Sequence, residues 1–425
     1  MKKVLLLIVC SLFGLQIAKA QLAVDSLNKY YAIGVKAHAQ GNYLLFVQSM
    51  ERCLQMLPGN ASLLYNMAMG YALLNDYTNT TAYLNQLCAE GKVIANRAVS
   101  DSLFANLWSQ PQWAELHPKL EQLVAYKGSS TLVATISEPD LIPEGIAVNP
   151  KTGDIYLSSL YKSKVVKVDA AGNVSDFVLE RSHELGPTIG MKVDVARNRL
   201  WVVSSVQGLN NRLDSTMLGM SGLFAFDLTT ANLVYKHLLP PAEGHFLNDL
   251  DIASDGTIYV SDSKFRAVYK ADKGEAPLVK LVDLPNNYYP NGIALSADES
   301  KLYVAGTTVE VITLSTLAVT PLKAPSNVVV SGDGLYLCNG TLIAVQNTDL
   351  NRIAQFTLSS SGYEVTSVKV LEANHPEWII PTTGSIYSGK LYYIANSQLR
   401  AFQPNGSVLP LEQLKPVYVR AIALE

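Results

Sequence analysis

Four short segments in the last two-thirds of the sequence carry side chains whose chemistry could act together. Each segment places a carboxylate or an amide just before an apolar, strand-like run, and the side chains are those of Glu144, Asn248, Asn291 and Asp333. When the units of a radially repeating fold each contribute one oxygen from the same place, the oxygens can converge on one axis. Two carboxylates and two amide oxygens suit a hard divalent cation. The spacing therefore predicts a metal site shared by several repeats.

The elements that must position these side chains are repeated units of two strands. From Thr131 onward, Val, Ile, Thr and Tyr alternate with polar residues, and Gly, Asp and Asn mark short turns. Equivalent positions recur six times, at Glu144, Ile189, Asn248, Asn291, Asp333 and Thr383. Because the blades of a propeller need roughly 40–50 residues each, the pattern predicts a six-bladed β-propeller over residues 131–425.

The preceding part of the chain has a helical pattern. Apolar residues recur at spacings of three and four over residues 22–125, where glycine is scarce. A period of 34 residues is also present, since Asn42 returns as Asp76 and Tyr43 as Tyr77. Each of these Asn-Tyr or Asp-Tyr pairs predicts the turn into the second helix of a hairpin.

This helical region resembles the tetratricopeptide repeat, whose period is also 34 residues. We predict a helical tetratricopeptide-like domain over residues 21–126, so the fold class is mainly β with an N-terminal α-helical domain. Such a unit offers a concave face that can bind a protein or an extended peptide, or it only caps the neighbouring domain. The sequence leaves both roles open.

The first 20 residues have the pattern of a secretory signal peptide. Lys2 and Lys3 give a charged start, a mostly apolar stretch follows over residues 4–17, and Ala18-Lys19-Ala20 is a small-x-small cleavage site. We therefore predict export, to the periplasm or the extracellular space. Elsewhere the sequence has no stretch that is long and apolar enough to predict a membrane span.

Charge and cysteine content narrow the classes of partner and cofactor. The formal net charge of the 425 residues is −3, which argues against nucleic acid and anionic lipid as partners. Cleavage after residue 20 leaves Cys53, Cys88 and Cys338, with no Cys/His spacing that fits zinc. Cys53 and Cys88 either pair or remain free thiols, and Cys338 is predicted to be core.

The four oxygen-bearing segments and their order resemble the SMP-30/gluconolactonase/LRE family, also called the regucalcin-like family. The segments are Pro143-Glu144-Gly145, Leu247-Asn248-Asp249, Pro290-Asn291-Gly292 and Gly332-Asp333-Gly334. The resemblance implies a six-bladed propeller with one axial metal that hydrolyses sugar lactones or other esters. It also implies that Glu144, Asn291 and Asp333 hold the metal directly, while Asn248 reaches the metal or the substrate through water.

The same resemblance implies a mechanism. The metal would polarise the carbonyl of the substrate and lower the pKa of a bound water. Asp333 would be both a ligand and the general base for that water. Calcium is the favoured ion for this oxygen set, with magnesium, manganese or zinc as alternatives.

Two positions depart from the family pattern. A basic residue that holds substrate hydroxyls often stands two positions before the Asn-Asp segment, and here that position is Phe246. The proline of the fourth segment is replaced by Gly332. We expect Phe246 to favour a more apolar substrate or none. His245 beside it either makes a polar contact to substrate or is satisfied within the protein.

Two functions follow from these observations. The first is an exported metal-dependent hydrolase of the lactonase or esterase type, acting on a small-molecule lactone or ester. The second is a non-catalytic binding or scaffold protein whose metal is structural, since a propeller fold does not fix a function. Motifs of other hydrolase and nucleotide-binding classes, such as GxSxG, HExxH and the P-loop, are missing from the sequence.

Overall fold

The computed structural model describes residues 26–208, 210–325 and 328–424. The chain divides into two compact units, with the division between Ala125 and Tyr126. The predicted signal peptide, residues 1–20, lies outside the described residues. Within the described ranges, no helix has the length and apolar character needed to cross a membrane.

The first unit consists of helical hairpins. Its α-helices span residues 26–39 (α1), Tyr43–Met56 (α2), Ala61–Leu73 (α3), Tyr77–Ala89 (α4) and Pro111–Val124 (α5). Two 3₁₀ segments, Val93–Val99 and Ser102–Phe104, lie between α4 and α5. The predicted N-terminal helical region is therefore present.

The period of 34 residues recurs in the way the second helices begin. The side chain of Asn42 accepts a hydrogen bond from the backbone N–H of Leu45 at 3.2 Å. Asp76, 34 positions later, caps α4 in the same way through the N–H of Asn79 at 3.1 Å. Each cap satisfies an N–H group that has no partner within its helix. The Asn-Tyr and Asp-Tyr pairs thus mark helix starts, as their sequence pattern predicts.

Small residues allow these helices to pack closely. A Cβ atom at Gly70 of α3 would lie 2.6 Å from a methyl group of Val47 on α2, nearer than real Cβ atoms approach. Ala68 and Ala72 of α3 are also buried. The described cysteines Cys53, Cys88 and Cys338 are free thiols.

The second unit is a six-bladed β-propeller of four-stranded antiparallel sheets, as predicted. The first three blades contain Ile146–Val148, Ile155–Ser158, Val165–Val168 and Val174–Val178 (β2–β5); Thr188–Asp194, Arg199–Ser205, Ser221–Asp227 and Leu233–Leu239 (β6–β9); and Leu247–Ile252, Ile258–Asp262, Ala267–Ala271 and Val279–Asp283 (β10–β13). The fourth and fifth contain Ile293–Leu295, Lys301–Val304, Glu310–Thr313 and Ala318–Pro321 (β14–β17); and Leu335–Cys338, Thr341–Gln346, Arg352–Leu358 and Val365–Ala373 (β18–β21).

The sixth blade combines strands from both ends of the unit. Its strands are Gly384–Tyr387 (β22), Lys390–Ile394 (β23), Val417–Ala423 (β24) and Thr131–Ile136 (β1). β1 pairs antiparallel with β24, so the first strand of the unit is the outermost strand of its last blade. This pairing closes the ring of blades and leaves no unpaired gap between the first and the last.

The inner strands of all six blades meet around the axis. Residues from each inner strand line one cavity of about 220 Å³, including Val148, Met191, Leu250, Ala294, Leu337 and Ile386. Residues that immediately precede or begin these strands are thereby brought to a common axial position.

Candidate axial site

Three predicted ligands stand at the same point of their blades. Glu144, Asn291 and Asp333 each precede the first residue of an inner strand, β2, β14 or β18, by two positions. Asn248 is instead the second residue of β10, where the pairing with β11 shifts register between Leu247 and Leu250. Three of the four side chains thus occupy the same position relative to their inner strands. The fourth, Asn248, lies at an irregularity in the strand pairing.

Asp333 is held by two amides. The side-chain Nδ2 of Asn291 donates to Oδ1 of Asp333, and Nδ2 of Asn347 donates to Oδ2 at 2.5 Å. Burial raises the pKa of Asp333 to about 6, although both hydrogen bonds favour the charged form. Asn291 and Asp333 are therefore in direct contact, and the carboxylate has a fixed orientation.

Glu144 faces this pair with an unsatisfied oxygen. The residue is only 7% exposed, and its Oε2 has no hydrogen-bond partner. Burial raises its pKa well above the ordinary value, and the negative charges of Asp333 and Asp249 raise it further. Oδ1 of Asn291 is also buried without a partner. Two orphaned acceptor oxygens beside a carboxylate form a set that a bound cation would satisfy.

The composition of this set fits a hard ion. Nowhere in residues 26–208, 210–325 and 328–424 do three or more His, Cys, Asp or Glu side chains converge so as to hold a metal. The axial set instead combines two carboxylates, Glu144 and Asp333, with the amide of Asn291. Oxygen donors of this kind suit calcium or magnesium, and two carboxylates balance the charge of a divalent ion.

Asn248 is connected to the set through a serine. It is 3% exposed, and its Nδ2 donates to Oγ of Ser263 at 2.9 Å. The same Oγ donates to the backbone oxygen of Pro290, the residue before Asn291, at 2.5 Å. The structure thus fixes Asn248 beside the segment that carries Asn291.

His245 lies behind this segment with both ring nitrogens engaged. Nδ1 lies 2.5 Å from Oδ2 of Asp262, Nε2 lies 2.7 Å from Oε2 of Glu243, and the residue is 2% exposed. The ring of Phe265 stacks on the imidazole with centroids 4.3 Å apart. These contacts support the start of β10 and leave neither nitrogen for a further partner.

Phe246 stands next to a second aromatic residue. Its ring meets that of Tyr289 edge to face, with centroids 5.9 Å apart. Burial raises the pKa of the Tyr289 phenol, and the charges of Asp333 and Glu144 raise it further, because they oppose a third negative charge nearby. An aromatic pair therefore borders the axial oxygens on the side of blades three and four.

Asp249 belongs to the axial site, although the sequence pattern assigned it no role there. It is 8% exposed and accepts a hydrogen bond from the adjacent N–H of Leu250 at 2.9 Å. Burial raises its pKa to about 7, while Lys192 on the neighbouring inner strand lowers it. Asp249 and Tyr336 line the axial cavity. The phenolic oxygen of Tyr336 accepts a hydrogen bond from the N–H of Gly384 at 2.5 Å.

Asp249 could have been found from the sequence, because it replaces a glycine that the other blades have at the same position. The residue after the axial position is glycine in the other five blades, at Gly145, Gly190, Gly292, Gly334 and Gly384. Neighbouring inner strands approach closely here, so a Cβ atom at Gly145 would collide with the carbonyl oxygen of Ile189. A carboxylate at a position that otherwise requires glycine indicates a special environment.

The supporting residues Ser263 and Asn347 also follow a repeat. Ser263 lies one residue beyond β11 and holds Asn248, while Asn347 lies one residue beyond β19 and holds Asp333. Both strands are second in their blades. A search for polar residues at the end of each second strand would have identified both.

A family comparison covers the part of the propeller that holds these residues. Residues 142–343 match the model of the SMP-30/Gluconolactonase/LRE-like region, a range that includes Glu144, Asn248, Asn291 and Asp333. No curated protein sequence matched the chain.

Solved structures with a similar chain trace share little sequence. A gluconolactonase from Xanthomonas campestris is 18% identical over 70% of this chain and 92% of that chain, with a TM-score of 0.47. A virginiamycin B lyase from Staphylococcus aureus is 14% identical over 71% and 100%, with a TM-score of 0.45. The calcium-binding protein regucalcin from Agrobacterium tumefaciens is 13% identical over 69% and 96%, with a TM-score of 0.45.

Proposed function

The propeller contains an SMP-30/gluconolactonase/LRE-like region, and from this premise we propose that the protein is a metal-dependent hydrolase of lactones or esters. One observation carries the proposal: Oε2 of Glu144 and Oδ1 of Asn291 are buried without partners next to the Asp333 carboxylate. Burying an unpaired polar oxygen is costly, so such atoms usually serve a ligand. We assign Glu144, Asn291 and Asp333 as the residues that hold one divalent ion, with calcium favoured and magnesium, manganese or zinc as alternatives.

When bound, the ion would polarise the substrate carbonyl and lower the pKa of a water molecule. The chain's own residues orient the reaction. Asn291 and Asn347 each donate an amide N–H to Asp333, which fixes the plane of its carboxylate. We assign Asp333 as the general base that accepts the proton of the water at a carboxylate oxygen. Asn248, fixed by Ser263, is assigned to the metal or the substrate through water.

The roles assigned to the two residues before β10 differ. Phe246 borders the site through its contact with Tyr289, so we assign it to substrate binding. His245 has both ring nitrogens on carboxylates, and we assign it to support of Phe246 and Asn248. We also propose that the protein is exported, which N-terminal sequencing of the mature protein tests through the expected first residue, Gln21.

The decisive experiment measures metal binding and turnover together. Purified protein is assayed on a panel of lactones and aryl esters after EDTA treatment, and again after calcium, magnesium, manganese or zinc is added. Asp333→Asn should abolish turnover and weaken binding of the activating metal at least tenfold by calorimetry. The matched control, Asp283→Asn, changes a carboxylate that pairs with Lys280 on the surface and should behave like the wild type. Full activity of Asp333→Asn would overturn the proposal.

A second candidate function rests on the helical unit. Its hairpin helices with a period of 34 residues are typical of peptide-binding scaffolds, and a propeller can serve as a rigid platform. In this case the metal would be structural. EDTA would then lower the melting temperature of a protein that hydrolyses nothing in the panel.

A further inference from the structure

Two aromatic side chains border the axial oxygens where a polar contact to substrate is expected. We propose that Phe246 and Tyr289 determine specificity and select lactones or esters that carry an aromatic ring. The inference rests on the proposed hydrolase function and narrows it to a class of substrate. It is carried by the contact between the two rings, by their position beside Asn291 and Asp333, and by the rigidity of the segments that bear them.

The two rings form an incomplete aromatic cluster. They meet at an interplanar angle of 70°, with centroids 5.9 Å apart, in the edge-to-face arrangement that aromatic pairs favour. Tyr289 is 49% exposed, and Phe246 is only partly buried. Both side chains therefore keep accessible surface that a further ring can contact. Of the two residues, only the Tyr289 hydroxyl offers a side-chain hydrogen bond to sugar hydroxyls.

The backbone of Tyr289 is fixed by the buried side chain of Asn287. Oδ1 of Asn287 accepts from the N–H of Thr307 at 3.2 Å and from the N–H of Tyr289 at 3.4 Å. Its Nδ2 lies 3.3 Å from the carbonyl oxygens of Val304 and Thr308. The segment also lies so close to Gly306 that a Cβ atom there would collide with the carbonyl oxygen of Tyr289. The backbone that carries the ring is therefore held in place before a ligand arrives, which reduces the entropy cost of binding.

Phe246 is held just as firmly. Its N–H donates to Oδ1 of Asp262 at 3.3 Å, and its carbonyl oxygen accepts from the N–H of Ser263 at 2.9 Å. Ser263 also accepts a hydrogen bond from the side chain of Asn248, so the same serine holds both Phe246 and Asn248. Arg266, a cation of the same sector, stacks on Tyr288 at 4.4 Å and donates to the carbonyl oxygen of Asn287. The guanidinium group of Arg266 is therefore occupied by contacts with residues 287 and 288.

The test compares substrates that share the reacting ring. Turnover of γ-phenyl-γ-butyrolactone, γ-cyclohexyl-γ-butyrolactone and unsubstituted γ-butyrolactone is measured, and each kcat/KM is divided by the rate of spontaneous hydrolysis. We expect the phenyl compound to exceed the cyclohexyl compound by roughly fivefold to tenfold, the size of a favourable aromatic contact. Glucono-δ-lactone should be a poorer substrate than the phenyl compound.

Variants then assign the preference to the two rings. Tyr289→Ala and Phe246→Ala should each reduce the phenyl-to-cyclohexyl ratio toward one. Tyr288→Ala removes the adjacent ring that stacks on Arg266, and it should retain the wild-type ratio. Phe246→Arg should shift the preference toward glucono-δ-lactone. Circular dichroism and melting temperature confirm that each variant is folded.

A stable analogue separates this inference from the proposed function. Binding of 5-phenyl-2-pyrrolidinone, a lactam that resists hydrolysis, is measured by calorimetry on the metal-loaded protein, with 5-cyclohexyl-2-pyrrolidinone as the comparison. Preferential binding of the phenyl lactam without turnover of any lactone would overturn the hydrolase and retain the aromatic site. Turnover without a phenyl preference, or a preference unchanged in Tyr289→Ala, would overturn the inference and retain the hydrolase.

Discussion

Asp262 is the buried carboxylate that supports the segment entering β10. It is fully buried, contacts Nδ1 of His245, and accepts backbone N–H bonds from Phe246, Lys264 and Phe265. Removing this carboxylate leaves Nδ1 of the imidazole and three N–H groups without their partner. The cost of breaking such a buried pair is typically several kcal/mol.

We therefore expect Asp262→Ala to lower the free energy of unfolding of the propeller by about 3–5 kcal/mol. Urea denaturation followed by tryptophan fluorescence measures the change. Asp272→Ala is the control, because its carboxylate pairs with Lys270 on the surface and is 56% exposed, where ion pairs contribute little. Equal stability of the two variants would contradict the supporting role of Asp262.

At the scale of single residues, periodicity in the sequence identifies the position that recurs in each blade. Glu144, Asn291 and Asp333 could be predicted because each stands at the same distance from an inner strand. Tyr289 and Tyr336 could not, since their place at the axis depends on how adjacent blades come together. For His245 the sequence left a contact to substrate and a contact within the protein as alternatives, because its two partners, Glu243 and Asp262, are set by the local fold and follow no repeat.

At the scale of elements, the six blades were predictable and the way they close was not. The hairpins of the first two strands in each blade recur along the sequence, so their number could be counted. The pairing of β1 with β24 joins residues nearly 300 positions apart, such as Thr131 and Ala421, and no local pattern reports such a contact. The structure shows that a single carboxylate, Glu372, connects the elements at this closure.

Glu372 joins blade five to blade six. It is fully buried on β21, where it accepts hydrogen bonds from Oγ of Ser130, just before β1, and from the hydroxyl of Tyr393 on β23, both at 2.7 Å. Arg420 on β24 donates to the same Oγ at 2.9 Å. The four residues come from three strands and the segment that enters β1, so they hold the closing strand in register.

Glu372→Ala should therefore weaken the closure specifically. We expect a loss of more than about 2 kcal/mol in unfolding free energy, because two buried hydroxyls lose their acceptor. Hydrogen exchange should accelerate in β1 and β24 before it does in β10 or β14. The control is Glu364→Ala, whose side chain is exposed between β20 and β21. Uniform acceleration over all six blades would show that Glu372 has no special role in closure.

At the scale of the whole molecule, the chain has two sets of hydrophobic cores. The buried clusters around Phe104 and Met50 consist of residues from the helical unit, and those around Trp201, Phe356, Val166, Phe224, Leu302, Tyr393 and Ile142 consist of propeller residues. None of the clusters formed by the described residues mixes the two units. Units with separate cores are free to unfold in separate transitions.

We therefore expect two transitions in a calorimetric scan of the full chain. Far-ultraviolet circular dichroism identifies the transition of the helical unit.

Because the proposed ligands Glu144, Asn291 and Asp333 all belong to the propeller, calcium should raise only the melting temperature of the propeller transition. A ligand that binds the folded state at 100 times its Kd stabilises it by about 2.7 kcal/mol. Asp333→Asn should remove that shift and leave the helical transition in place. If calcium moved both transitions together, or only the helical one, the assignment of the ion to the propeller axis would be wrong.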